Sequence, residues 1–150
     1  MNDEEYMEIA YQEALKALKH DDVPIGCIIV KDDQIIARAY NQREYLNQTY
    51  GHAEMLAIEE ACKKIGRWRL DECTLYTTLE PCLMCSGAII QSHIQRVVCG
   101  ASDTRWMSLD KLIHLPDPKL NYIPMIQSDI LKDKCSKLIK DYFKKKRQKI

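Results

Sequence analysis

Two short stretches, HAE at 52–54 and PCLMC at 81–85, contain side chains suited to binding a metal ion. His52 supplies an imidazole, and Cys82 and Cys85 lie on one face of the chain if the second stretch is helical. Two thiolates and an imidazole are typical ligands of tetrahedral zinc. A fold that uses this set must bring two stretches that are distant in sequence to one point.

The number of ligands distinguishes a structural zinc site from a catalytic one. A structural site has four protein ligands, and Asp103 or another cysteine could be the fourth. A catalytic site has three ligands, leaves a position for water, and has a nearby acid or base. Residues two apart lie about 200° apart on a helix, so Glu54 can face the site only if His52 precedes regular helical geometry. A helix is predicted to begin there, which favours the catalytic interpretation.

Glu80 is a second acid close to these motifs. It directly precedes Pro81, and this position biases its backbone toward an extended conformation. We therefore expect Glu80 at the rim of the site, within reach of a substrate.

The hydrophobic pattern predicts one α/β domain over residues 1–150. Helices are predicted over 4–19, 52–66, 81–92 and 129–147, and strands over 25–30, 34–39, 73–78, 96–101 and, more weakly, 122–127. Pro124 suggests that the last strand lies at an edge. Residues 40–51 are predicted as a polar loop and 102–121 as irregular. This order predicts a mixed central sheet of about five strands with helices on both faces.

The charge of the chain is unevenly distributed. The formal net charge is zero, yet residues 132–150 contain nine Lys or Arg and two Asp, a net charge of +7. Such a segment suits a partner rich in phosphate. On charge alone, a solvated helix face is the simpler explanation.

Cysteine usage and hydropathy indicate the compartment. Seven cysteines is an odd number, and most lie in apolar contexts, which argues against a disulfide framework. The acidic, helical N-terminal stretch is unlike a signal or transit peptide. No apolar run reaches the roughly 20 residues of a membrane span. These features predict a soluble, cytoplasmic protein that does not bind membranes.

The pattern H-x-E followed by P-C-x-x-C resembles the signature of the zinc-dependent nucleobase deaminases. The stretches VPIG, WRL and a final helix ending DYFKKKRQ are similar to the bacterial tRNA adenosine deaminases. This resemblance implies a three-layer, cytidine-deaminase-like fold, one Zn²⁺ per chain and a homodimer. It also implies hydrolytic conversion of adenosine to inosine at the wobble position of a tRNA anticodon loop.

The resemblance also implies roles for individual residues. His52, Cys82 and Cys85 would bind zinc, and Glu54 would carry protons. In the substrate pocket, Asn41 and the main chain of Ala53 would hydrogen-bond the base, and Val23 would form an apolar wall. From the residues alone, Asn41 would be predicted as a turn residue after a strand.

RNA contacts are expected from aromatic and basic side chains in the last third of the chain. Bases of a single-stranded loop can stack on aromatic rings, for which Trp106, Tyr142 and Phe143 are candidates. Burial against the core is the commoner fate of helical aromatic residues such as Tyr142 and Phe143. The basic segment would hold phosphates through Lys144, Lys145, Lys146 and Arg147.

Two other functions remain open from the sequence. The segment DTRWMSL at 103–109 is shorter than its family counterpart, and Asn121-Tyr122 and Gly51 also depart from the family pattern. A deaminase of a free base or nucleoside, of the cytosine or guanine type, would need no basic segment. A zinc-stabilised RNA-binding module without catalysis is the third possibility, and Glu54 argues against it.

Overall fold

Strands and helices make up most of residues 1–103 and 107–148, which are the residues that this computed structural model describes. The strands are β1 (Gly26–Lys31), β2 (Gln34–Tyr40), β3 (Cys73–Leu79), β4 (Arg96–Ala101) and β5 (Met125–Gln127). The helices are α1 (Asp3–Lys16), α2 (Arg43–Leu46), α3 (Ala53–Ile65), α4 (Leu83–Gln91), α5 (Leu109–Ile113) and α6 (Lys132–Gln148). Trp106 lies outside the described residues. No helix in these ranges has the length and apolar character needed to cross a membrane.

The five strands form one mixed sheet in the order β2-β1-β3-β4-β5, which confirms the predicted sheet. Strand β1 is antiparallel to β2 and β3, whereas β3, β4 and β5 are parallel. One end of the sheet therefore collects the start of β1 and the ends of β2, β3 and β4. The last strand lies at an edge, as Pro124 predicts.

Helices cover both faces of the sheet, as predicted. In β1, Cys27 and Ile29 belong to the core beneath α3 and α4, while Ile28 and Val30 belong to the core beneath α1. At Gly26 a Cβ atom would lie 2.0 Å from the carbonyl oxygen of Ala10 in α1. Only glycine allows this close approach of helix and strand.

Several predicted boundaries are wrong. Helix α1 ends at Lys16 and continues as a 3₁₀ turn over Ala17–His20. Helix α6 begins at Lys132, because Leu131 has a positive φ of 56° and interrupts helical geometry. The final strand is shorter than predicted because only Met125–Gln127 pair with β4.

Two short helices lie in segments that were predicted to be loop or irregular. Both are stabilised by carboxylates from other parts of the chain. Asp22 accepts hydrogen bonds from the backbone N–H groups of Glu44 and Tyr45 in α2, and Glu80 accepts one from Asp110 in α5. These distant caps satisfy backbone donors that local sequence leaves without partners.

Candidate active site

The metal-binding side chains lie at the starts of two helices. His52 is the N-cap of α3 and has an extended backbone, with φ −78° and ψ 147°. Cys82 is the N-cap of α4, also extended, and Cys85 lies in the first turn of that helix. His52 therefore precedes regular helical geometry, which is the condition under which Glu54 can face the same centre.

The three ligand atoms fit a zinc ion. The Sγ atoms of Cys82 and Cys85 each lie 3.5 Å from Nδ1 of His52. Zn–N and Zn–S bonds of about 2.0 and 2.3 Å at a tetrahedral angle separate nitrogen and sulfur by about 3.5 Å. In the described part of the chain, the cluster consists of these three residues, and neither Asp103 nor another cysteine joins it. A closed site with four protein ligands is therefore not formed by these residues.

The protonation of the two thiols is coupled. A hydrogen bond from the Cys85 thiol lowers the pKa of Cys82 to about 4 and raises the pKa of Cys85. The contact with Cys82 also raises the pKa of His52. Cys82 is thus readily a thiolate, which is the form that binds metal ions.

Glu54 is a buried carboxyl beside these ligands. It is 4% exposed, and burial raises its pKa to about 7. Its position as the second residue of α3 places it within the cavity wall that also contains His52 and Cys82. A carboxyl in this position can accept and return a proton near neutral pH.

A cavity of about 310 Å³ opens at the end of the sheet where these elements meet. Ligand sites of α/β proteins commonly lie at this kind of position, beyond the ends of the strands. The lining residues come from the loops around the sheet end, the starts of α3 and α4, and α6: Asp22, Val23, Ile25, Asn41, Arg43, Glu44, His52, Glu54, Leu79, Glu80, Cys82, Asp103, Tyr142, Phe143 and Lys146.

Asn41 has one buried hydrogen-bonding atom available in the cavity. Its Nδ2 donates to the carbonyl oxygen of Val23 at 3.2 Å. Its Oδ1 is buried and has no hydrogen-bond partner in the described chain. Such an atom is costly unless a ligand or water satisfies it. Val23 also lines the cavity, whereas Ala53, the first residue of α3, does not contribute a lining side chain.

Glu80 connects the cavity rim to the loop after β4. Its carboxylate accepts hydrogen bonds from the N–H of Asp103 at 3.4 Å and of Asp110 at 3.0 Å. Leu109 N–H also donates to the carbonyl oxygen of Pro81. Glu80 therefore lies at the cavity rim, where its carboxylate holds the backbone at Asp103 and at Asp110.

Helix α6 forms one wall of the cavity. Tyr142 Oη donates to the carbonyl oxygen of Asp21, and Lys146 Nζ lies 2.8 Å from the carboxylate of Asp21. Phe143 separates this cavity from a second one that Arg147 lines. Among the predicted basic contacts, Lys146 is therefore at the cavity, whereas Lys144 and Lys145 are exposed on the helix outside it.

Sequence reasoning missed several lining residues. Asp22 is 1% exposed and fixes α2 at the cavity rim. Arg43 and Glu44 reach the cavity through that helix. An acid directly before the VPIG stretch was the available signal for Asp22, but nothing local to the sequence indicates its distant backbone partners.

Residues 1–101 match the family model described as cytidine and deoxycytidylate deaminase zinc-binding region. The chain is 43% identical over 148 residues to the tRNA-specific adenosine deaminase of Bacillus subtilis, which covers 98% of this chain and 92% of that protein. It is 42% identical to the protein of the same name from Streptococcus pyogenes serotype M1, over 96% of this chain and 85% of that protein.

Two solved structures are informative neighbours. One comes from work on A-to-I editing by tRNA:A34 deaminases at the wobble position; it has a TM-score of 0.83 and 35% identity, covering 89% of this chain and 98% of that chain. The other is a guanine deaminase from Bacillus subtilis, with a TM-score of 0.68 and 36% identity over 85% of each chain.

Proposed function

Because this chain belongs to the cytidine and deoxycytidylate deaminase family, among the tRNA-specific adenosine deaminases, we propose that it converts adenosine to inosine at the wobble position of a tRNA anticodon loop. The observation that carries the chemistry is the meeting of Glu54 with the His52, Cys82 and Cys85 cluster in one small cavity. Similarity over nearly the whole chain to tRNA-specific adenosine deaminases, and to a structure from work on tRNA:A34 deaminases, supports tRNA as the substrate.

The reaction exchanges one bond for another at C6 of adenine. A C–O bond to water forms, the C–N bond breaks, and the nitrogen leaves as ammonia. When bound by the three ligands, zinc supplies a Lewis acid that makes water more acidic. Glu54 takes a proton from water and delivers it to the ring nitrogen beside C6. It then moves the proton of the new C6 hydroxyl to the amine, so that ammonia leaves and a C6 carbonyl remains. Asn41 Oδ1 and the apolar side chain of Val23 orient the base.

The test is incubation of the zinc-loaded protein with a tRNA panel, free adenosine, guanine and cytosine. Inosine in RNA and released ammonia are both measured. We expect inosine at the wobble position of tRNAs that carry adenosine there, with much slower release of ammonia from free nucleosides. Rapid release of ammonia from a free base, with no inosine in any tRNA, would overturn the proposal.

Deamination of a free purine is the second candidate function. It is favoured by the similarity to the guanine deaminase structure and by the modest size of the cavity, near the lower end of the range of about 300–1,000 Å³ for small-molecule sites. The lower TM-score of that neighbour and the 43% identity to a tRNA-specific enzyme favour the RNA substrate.

We also propose that the protein is a homodimer that uses the outer face of α4. This helix carries no charged residue, and Leu83 is 54% exposed on it. Gly87, one turn further on, faces open space. Exposed apolar surface of this kind is typical of protein interfaces.

A further inference from the structure

Three aromatic rings lie nearly parallel on the surface beside the cavity. The ring centroids of His20 and Tyr45 are 3.8 Å apart with an interplanar angle of 20°. His20 and Tyr40 are 6.3 Å apart at an angle of 11°. Tyr45 is 59% exposed although His20 lies against it. Tyr45 is therefore the outermost of the three and presents most of its surface to solvent.

The backbone beneath Tyr45 is firmly held. Buried Asp22 accepts hydrogen bonds from the N–H groups of Glu44 at 2.7 Å and Tyr45 at 3.2 Å. On the other side, a Cβ atom at Gly51 would lie 2.8 Å from the Cα of Arg43, so the two segments pack in direct backbone contact. The backbone of Tyr45 is held in this way and its ring packs on His20, so the side chain loses little conformational entropy when a flat ligand stacks on it.

This cluster is continuous with the candidate active site. Arg43 and Glu44 line the cavity and immediately precede Tyr45. Arg38 precedes Tyr40 by two positions in β2, so the two side chains point to the same face of the sheet. A nucleic-acid strand that leaves the cavity across α2 therefore passes the aromatic rings, and the cationic side chain of Arg38 lies on the same side.

We propose that His20 and Tyr45 form a stacking platform for the base of a nucleotide next to the target adenosine. The proposal rests on the proposed function, because it requires a single-stranded RNA substrate. When one base of a loop enters a cavity, its neighbours lose their stacking partners, and aromatic side chains replace those partners. The platform binds the π-face of the base, so it accepts any of the four bases.

The first experiment compares Tyr45→Ala with Tyr45→Phe. The hydroxyl of Tyr45 has no hydrogen bond within the described residues, so phenylalanine is a matched control that keeps the ring. Binding of an anticodon stem-loop and deamination of the loop and of free adenosine are measured. We expect Tyr45→Ala to weaken RNA binding about tenfold and Tyr45→Phe to bind RNA like the wild type. Both variants should deaminate free adenosine at the wild-type rate.

The second experiment removes the stacking partner from the RNA. Stem-loops with an abasic site on either side of the target adenosine are tested against both proteins. At one of the two positions, the missing base should weaken binding to the wild-type protein about tenfold, as Tyr45→Ala does. The same abasic stem-loop should bind Tyr45→Ala no more weakly than the intact stem-loop does. Equal binding of all stem-loops by Tyr45→Ala and wild type would overturn the platform.

The two proposals fail in different ways. Inosine formation by the wild type tests the proposed function, and the difference between the Tyr45 variants tests the platform. If the wild type forms inosine and Tyr45→Ala binds RNA as the wild type does, the stacking platform is wrong and the proposed function stands. If the wild-type protein neither binds nor deaminates the stem-loop, both the proposed function and the stacking platform are wrong.

Discussion

Glu54 is a buried carboxyl whose removal leaves the zinc ligands untouched. Glu54→Gln keeps the size of the side chain but cannot carry a proton. We expect this variant to bind zinc and fold like the wild type, and to lose turnover by at least about 10²–10⁴-fold. Zinc content, thermal unfolding and the rate of inosine formation measure the three effects separately.

Glu60→Gln is the matched control, because Glu60 is an exposed acid on the same helix. It should behave like the wild type in all three measurements. If Glu54→Gln lost its zinc, Glu54 would be a ligand; if it kept normal turnover, Glu54 would not be the proton carrier.

Single residues were predictable from the sequence where a local rule fixes their position. His52 and Cys82 lie at helix starts, where the local pattern predicts them. The pairing of Asp21 with Lys146 could not be predicted in this way. Each is an ordinary surface residue, and the two are 125 positions apart in the chain.

Zinc acts at the scale of elements by joining the starts of α3 and α4. Metal binding of this kind contributes to folding free energy. For saturation at about 1,000 times Kd, the stabilisation is about 4 kcal/mol, which corresponds to about 10 °C in Tm for a chain of this size. We expect a chelator, or Cys82→Ser, to lower Tm by about this amount.

Cys62→Ser provides the control for that measurement, since Cys62 is a half-buried thiol outside the cluster. Its Tm should still fall when zinc is removed. Complete loss of zinc with no change in Tm would show that the ion does not stabilise the two helix starts.

The first turn of α1 is attached to the sheet through Asp3. Its carboxylate accepts hydrogen bonds from Arg96 in β4 and from Tyr76 Oη in β3. The hydrogen bonds from Arg96 lower the pKa of Asp3. The folded pKa lies below the unfolded value of about 3.9, so this stabilisation is present above about pH 4 and disappears as the pH falls through the folded pKa.

Asp3→Asn should therefore reduce the free energy of unfolding by about 1–3 kcal/mol at pH 7. The difference in free energy of unfolding between the variant and the wild type should be smaller at about pH 3. The zinc ligands are protonated at that pH in both proteins, so zinc loss does not distinguish them. Urea unfolding at the two pH values measures the difference. Asp141→Asn, in an exposed pair with Lys137, is the control and should change neither value. A difference that is independent of pH would contradict the assignment.

Elements were predictable where hydrophobic periodicity is strong. Helices α1, α3 and α4 and the paired strands bury apolar faces that the sequence pattern shows directly, and α6 buries Cys135 and half-buries the rest of its apolar stripe. Helices α2 and α5 are four and five residues long; α2 has no buried residue, and α5 buries only Leu109. They depend on Asp22 and Glu80, so only the folded chain brings their caps into place.

At the scale of the whole molecule, Gly87 tests the proposed dimer. A Cβ atom at this position would meet no other atom within 4 Å, so a larger side chain fits the single chain. Gly87→Arg should fold normally and become monomeric, because a charge would then lie in an apolar interface. Gly87→Ala should keep the oligomeric state of the wild type. Sedimentation measures the mass, and equal masses for all three proteins would argue against this interface.

The basic side chains of the C-terminal segment have different surroundings in the structure. Lys146 is paired with Asp21 and helps to hold the cavity wall, so its removal should impair turnover of RNA and of free adenosine alike. Lys144 and Lys145 have no ion pair within the described residues and are exposed. They are therefore the better candidates for phosphate contacts.

Replacing Lys144 and Lys145 together by alanine should weaken RNA binding without affecting the cavity. Each lost phosphate contact on a single strand should reduce the slope of log affinity against log salt by about 0.7. Free adenosine should be turned over as by the wild type. Lys63→Ala with Lys64→Ala is the matched control, since this adjacent pair lies at the far end of α3, away from the cavity. If both double variants showed the same salt slope as the wild type, the exposed lysines of α6 would be a solvated helix face, and RNA would have to be bound elsewhere.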